Sequence, residues 1–190
     1  MTDSRTALAE SICRVAHLRG DFLLRSGVRS DHYFDKYQFE ADPALLHGIA
    51  QGLAPLLPEE TELLGGLELG GVPIATAVSL LTGIPMVMVR KAAKTYGTMK
   101  LAEGPSVSGR RVTLVEDVVT SGGQVCESAA ALRERGAIVD TVVCVIDREG
   151  GGTEALRAMQ LELRPLFTKS DLDDWLPGGR GGLTSEAHHE

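Results

Sequence analysis

Residues 112–124 read VTLVEDVVTSGGQ. An apolar, β-branched run ends in two adjacent acids, Glu116 and Asp117. Val118 and Val119 follow, then Thr120, Ser121, Gly122 and Gly123, and then the helical pattern GQVCESAAALRERG with Gly136 as its stop. Strand, short polar-glycine loop and helix in that order are the unit of a parallel α/β sheet. In such sheets ligands bind beyond the carboxyl ends of the strands. The loop's N–H groups and the helix N-terminus together suit a phosphate. A nucleotide-binding P-loop would add a lysine here, and this loop has none. Two carboxylates beside a phosphate cradle instead suit a vicinal diol, and hence a ribose 5-phosphate. The same residues also fit a plain strand end with ordinary turn chemistry and an exposed acid pair.

The flanking sequence repeats the alternation. TELLGGL (61–67), PMVMVRK (85–91), RRVTLVED (110–117), IVDTVVCVIDRE (138–149) and LELRPLFTKSDL (161–172) read as strands. VPIATAVSLLTG (72–83) and TEALRAMQ (153–160) read as helices between them. Asp42-Pro43 starts a helix, as an N-cap followed by proline at the first helical position, running to Leu56 or Leu57. Residues 4–18 carry apolar positions at helical spacing, with Gly20 as the stop. DFLLRSGVRSDHYFDKYQF (21–39) reads as small strands and a turn, and Lys94–Gly109 as a polar, aperiodic loop long enough to suggest function. The expected fold class is therefore α/β, a parallel-rich sheet covered by helices on both faces. One domain spans residues 1–176, and the Gly-rich, polar residues 177–190, with His188 and His189, are expected to be a disordered tail without a role.

A net charge of −7 argues against a broad nucleic-acid surface. No stretch approaches the roughly 18 consecutive apolar residues of a membrane span, and the N-terminus lacks a signal-peptide core. Cys13, Cys126 and Cys144 are odd in number, without CxxC spacing, and lie in apolar contexts. They read as buried free thiols in a reducing cytoplasm. The five histidines form no ligand cluster with cysteines or acids, so no protein-ligated metal is expected.

The stretch 112–123 resembles the 5-phosphoribosyl-1-diphosphate (PRPP) signature of type I phosphoribosyltransferases: four hydrophobics, two acids, two hydrophobics and a Thr/Ser/Gly turn. Glu116 stands where aspartate is more frequent and Gly123 where threonine is. The resemblance covers roughly residues 4–175, with the motifs in the expected order. It implies the type I phosphoribosyltransferase fold with a small N-terminal hood at about residues 18–40. On matched positions it implies that Glu116 and Asp117 hold the ribose diol, that Thr120, Ser121, Gly122 and Gly123 cradle the 5-phosphate, and that Val118 and Val119 belong to the same PRPP-binding run. It places Glu68, Leu69 and Gly70, in GGLELGGVP (65–73), at the pyrophosphate. Arg90, Lys91 and Lys94, in VRKAAKTYGTMKLAEGP (89–105), would neutralise that group and open a lid. Lys94 would act in catalysis with Asp117 and Glu116. Ala92 and Tyr96 depart from the usual glutamate and histidine, the lid GTMKLAEG lacks the usual glycine-acid run, and Lys100 is an extra cation.

Two further segments, FLLRSGVRSDHYFDKY (22–37) and IDREGGG (146–152), resemble the orotate phosphoribosyltransferase branch. Arg25 keeps the charge of that branch's lysine, Tyr33 and Phe34 supply its aromatic pair, and Asp147-Arg148 its later pair. Orotate is a planar carboxylate, which an aromatic wall and an arginine fork suit. The resemblance thus puts Arg25, Tyr33, Phe34, Thr120 and Arg148 at orotate. It implies transfer of the phosphoribosyl group of PRPP to orotate in pyrimidine synthesis, with Mg2+ carried mainly by substrate oxygens and water. It also implies a homodimer, because the family's lid cations reach the neighbouring site. A purine-specific transferase and a PRPP-binding regulator are the alternatives. The paired arginines speak against the first, and the acidic balance and lack of spare length against the second.

Overall fold

The computed structural model describes residues 2–23, 27, 29–91 and 101–175. Helix α1 (Thr2–Ala16) leads into an antiparallel pair, β1 (His17–Leu23) and β2 (Arg29–Phe34). Gly20 does not stop a helix. The chain is already extended at His17, and the β1–β2 register shifts between Arg19 and Phe22, so Gly20 sits at a bulge. A five-residue helix α2 (Tyr37–Ala41) precedes α3 (Pro43–Leu53). The Asp42 side chain accepts the N–H groups of Ala44 and Leu45 at 2.8 and 3.0 Å, as the Asp-Pro pair predicts. Beyond Leu53 one 3-10 turn, Ala54–Leu56, ends the segment. Asp42→Ala is expected to cost about 1 kcal/mol, read as a lower urea midpoint at unchanged slope.

The main sheet has six strands: β3 (Leu63–Leu67), β4 (Met86–Val89), β5 (Ala102–Glu103), β6 (Val112–Val119), β7 (Thr141–Asp147) and β8 (Glu162–Thr168), in the order β5-β4-β3-β6-β7-β8. All neighbours are parallel except β4 and β5. Strand β5 lies inside the stretch read as an aperiodic loop. Its two residues, opposite Met88 and Val89, are too few to leave a period in the sequence.

Helices α1, α3 and α4 (Gly71–Thr82) join Phe39, Val115 and Phe167 in one core; α5 (Gly123–Arg133) and α6 (Gly152–Ala158) pack with Leu114, Val142 and Leu156 in the other. Both faces are covered, so β3 and β7 are buried along their whole length and β6 nearly so. That is why these strands read as continuous apolar runs rather than alternations. Helix α4 ends at Gly83, whose φ of 76° is the left-handed cap geometry. The last strand gives way to α7 (Lys169–Asp173), capped reciprocally by Thr168 and Asp171, which the strand reading of 161–172 missed. Cys13 and Cys144 are buried free thiols as expected, whereas Cys126 is a free thiol only partly buried at the edge of the second core, its Sγ 3.9 Å from Ala155 O. Among the described residues no helix is long and apolar enough to cross a membrane.

Candidate active site

Strand β6 carries its acids into the middle of the molecule. Neighbouring residues of a strand face opposite sides, yet Glu116 is 8% exposed and Asp117 1%, because both sides of β6 are covered. The structure therefore rejects an exposed acid pair. Buried carboxyls need partners, and these have them. Asp117 accepts the Val118 N–H on Oδ1 and the Lys36 ammonium on Oδ2. Glu116 Oε1 accepts the Asp117 N–H at 2.9 Å.

A third carboxyl, Glu40 of α2, joins them. It is 7% exposed, and its Oε1 has no hydrogen-bond partner among the described residues. Burial, then the neighbouring Asp117 carboxyl, pushes Glu40 up to about 8. Burial, then the charge of Asp117, pushes Glu116 up to about 9. Burial alone would lower Lys36. The hydrogen bond and charge of Asp117, with the charges of Glu116 and Glu40, outweigh it and raise the ammonium instead. At neutral pH the cluster therefore holds a charged Lys36 and two protonated glutamic acids around Asp117.

The cleft above these groups has a volume of about 360 Å3 and is lined by Lys36, Tyr37, Glu68, Leu69, Lys91, Glu116 and the run 117–125. Thr120, Ser121 and Gly122 form its floor turn, and Gly122 has a φ of 75°. The first turn of α5, starting at Gly123, opens onto the cleft with its leading N–H groups. A larger groove of about 510 Å3, between α1 and α3, is lined by Arg5, Leu8, Gln51, Pro55 and similar residues and holds no carboxyl. Chemistry rather than volume singles out the cleft over β6.

Two loops border it. The loop after β3 lies flat against β6: a Cβ on Gly71 would strike the Val115 carbonyl, and one on Gly70 would lie 2.6 Å from both Asp117 Cγ and Glu40 Oε1. Glu68 does not reach into the cleft as a free acid. Its N–H donates to Val89 O at 2.9 Å, and its Oε1 accepts the Lys91 N–H at 2.6 Å, tying this loop to the end of β4. Lys91 lines the cleft, whereas Arg90 turns to Glu103, with Nε 3.5 Å from Oε1. The loop after β7 is shaped by Asp147, which accepts the Glu149 N–H at 2.9 Å and the Thr153 hydroxyl at 3.0 Å. The Arg148 N–H donates to Val119 O at 2.8 Å. A Cβ on Gly150 would lie 2.8 Å from Thr120 Cγ2, and one on Gly152 2.8 Å from Thr120 O. These glycines let the 148–152 loop rest on the Thr120 turn, which sets the exposed Arg148 beside it.

The sequence candidates thus divide. Glu68, Leu69, Lys91, Glu116, Asp117, Val118, Val119, Thr120, Ser121, Gly122 and Gly123 meet around one cleft, with Gly70 directly behind Asp117. The aromatic pair is split by strand alternation: Tyr33 is exposed and packs on Phe22 at 5.4 Å, whereas Phe34 turns to the core against Phe39 at 6.4 Å. Arg25 and Lys94, with Ala92, Tyr96 and Lys100, lie outside the described residues, as do residues 177–190. Lys36, Tyr37 and Glu40 were missed. They stand in DKYQFE, directly after the aromatic pair, and their signal was the charge of that segment, which also suits a solvated turn.

The phosphoribosyl transferase domain family matches residues 42–164. The orotate phosphoribosyltransferase of a Nocardioides species is 60% identical over 166 residues, covering 87% of this chain and 93% of its own. The crystal structure of Mycobacterium tuberculosis orotate phosphoribosyltransferase in complex with Fe(III) dicitrate is 34% identical with a TM-score of 0.81, over 89% of this chain and 98% of that one. The same mycobacterial enzyme in complex with PRPP aligns with a TM-score of 0.77 at 31% identity, again over 89% and 98%.

Proposed function

The chain belongs to the orotate phosphoribosyltransferase family, and from that premise we propose that the cleft over β6 binds PRPP and orotate and yields orotidine 5′-monophosphate and pyrophosphate. The observation that carries this reading is the buried Glu116-Asp117 pair set directly before the Thr120–Gly123 turn and the N-terminus of α5. In this reading the acids accept the ribose 2′- and 3′-hydroxyls. The turn and the α5 N–H groups hold the 5-phosphate. Lys91 faces the pyrophosphate, Lys94 and Arg90 add positive charge to that end of the site, Arg90 while paired with Glu103, and Leu69 and Gly70 supply backbone to it. Glu68 sets the Lys91 backbone rather than meeting the anion itself. Arg25, Tyr33, Arg148 and the Thr120 backbone take orotate under the β1–β2 hood, and Phe34 seats that hood on the core.

The carbon–oxygen bond from C1′ to pyrophosphate breaks as an orotate ring nitrogen bonds to C1′, and the proton of that nitrogen is released to solvent or to the departing pyrophosphate. Positive charge builds on the ribose ring, so the protein's part is positioning and charge stabilisation. The carboxyls of the cleft are engaged with Lys36 and with backbone N–H groups. That donor set suits a Mg2+ that arrives on the diphosphate oxygens rather than one caged by side chains. Bound there, the ion would assist departure of the pyrophosphate. A homodimer sharing lid cations and a cytoplasmic setting with reduced thiols belong to the same reading.

The test is an assay of purified protein with PRPP, Mg2+ and a panel of bases, following the loss of orotate absorbance. Orotate is expected to be consumed and purines spared. Turnover of a purine without orotate would reject the acceptor, and PRPP binding without any turnover would favour a regulator.

A further inference from the structure

We propose that Lys36 and Glu40 form a positioning unit for Asp117, presenting its carboxylate to the ribose diol of PRPP; this rests on the reading of the cleft given above. Three observations carry it. Lys36 Nζ meets Asp117 Oδ2 directly while also lining the cleft. Glu40, on the next turn of chain, puts its buried Oε1 into the space between Gly70 and Asp117, where a Cβ on Gly70 would lie 2.6 Å from it, and no other described group satisfies that oxygen. Finally, the two residues come from α2 and its N-cap, an element outside both the phosphate turn and the pyrophosphate loop.

The groups facing Asp117 come from several elements. They are Glu116 on β6, Lys36 and Glu40 at α2, and, through longer-range charge, Cys144 on β7; Asp35, before α2, acts by charge on Glu40. With Glu40 and Glu116 protonated beside the Lys36 ammonium, a polyanionic substrate meets less negative charge. Glu40 loses its proton as pH rises through about 8. The added negative charge then opposes PRPP and competes with Asp117 for Lys36. The unit therefore acts on PRPP binding at alkaline pH, and orotate binding feels it less.

The experiment compares wild type, Lys36→Met, Lys36→Arg and Glu40→Gln by kcat/KM for each substrate between pH 6 and pH 10. Lys36→Met is expected to lower kcat/KM for PRPP at least about tenfold, mainly through KM, with a smaller change in KM for orotate. Lys36→Arg should recover part of the loss, because the charge returns. Glu40→Gln should move the alkaline fall of kcat/KM for PRPP to higher pH. A mere hood-to-sheet tie would lower the melting temperature and leave this limb in place. Folded Lys36→Met with kcat/KM for PRPP within twofold of wild type would overturn the proposal. So would a Glu40→Gln limb coincident with wild type, a readout that stands even if Lys36→Met fails to fold. Asp117→Asn in the same series separates the two layers. If it too is unimpaired, the reading of the cleft fails; if it alone is impaired, only the positioning unit does.

Discussion

Asp117→Asn is expected to fold normally and to lose at least about tenfold in turnover, equivalent to ~1.4 kcal/mol of transition-state stabilisation. The asparagine keeps the size of a side chain that is almost wholly enclosed, so the packing around it survives. What it removes is the charge that pairs with Lys36 and one strong acceptor for a ribose hydroxyl. The loss should fall on kcat as well as on KM for PRPP, because positive charge develops on the ribose only as the bond to pyrophosphate breaks. Steady-state kinetics with circular dichroism on the same sample makes the check. Wild-type kinetics in a folded variant would remove Asp117 from the site.

Gly70→Ala should do more damage than the addition of one methyl suggests. The new Cβ would stand 2.6 Å from Asp117 Cγ and 2.6 Å from Glu40 Oε1, inside any normal contact distance. Asp117 cannot easily step aside, since one oxygen is held by the Val118 N–H and the other by Lys36. Either the acid moves or the loop after β3 lifts from β6, and both displace groups assigned to PRPP. A misplacement of about 1 Å can cost on the order of a hundredfold in rate, and a loss of that size in kcat/KM is expected. The melting temperature should fall as well, because both clashing side chains are buried, so the activities are compared on folded protein. Activity within twofold of wild type would show that this loop does not need to lie against the acids.

These results would rest on features of different legibility. The α/β alternation was readable because each strand of the sheet centre is a continuous apolar run and each longer helix has its cap or stop, as at Asp42-Pro43 and Gly83. The short elements β5, α2 and α7 were not, since two to five residues set no period. The end of α1 was misread because a glycine that marks a bulge and a glycine that stops a helix look alike in sequence.

The site divides the same way. The acid pair, the loop after it and the helix behind are legible in the sequence, because strand, turn and α5 are contiguous along the chain. Packing between distant elements buries Glu116 and Asp117, puts Glu68 on the backbone of Lys91, and turns Phe34 inward while Tyr33 faces out. It alone brought Lys36 and Glu40 to Asp117 across 81 residues of chain in the case of the lysine. The reason is physical. Local pattern sets backbone form through neighbours a few residues apart, whereas the protonation and orientation of a buried carboxyl depend on which groups the packing of separate elements places around it.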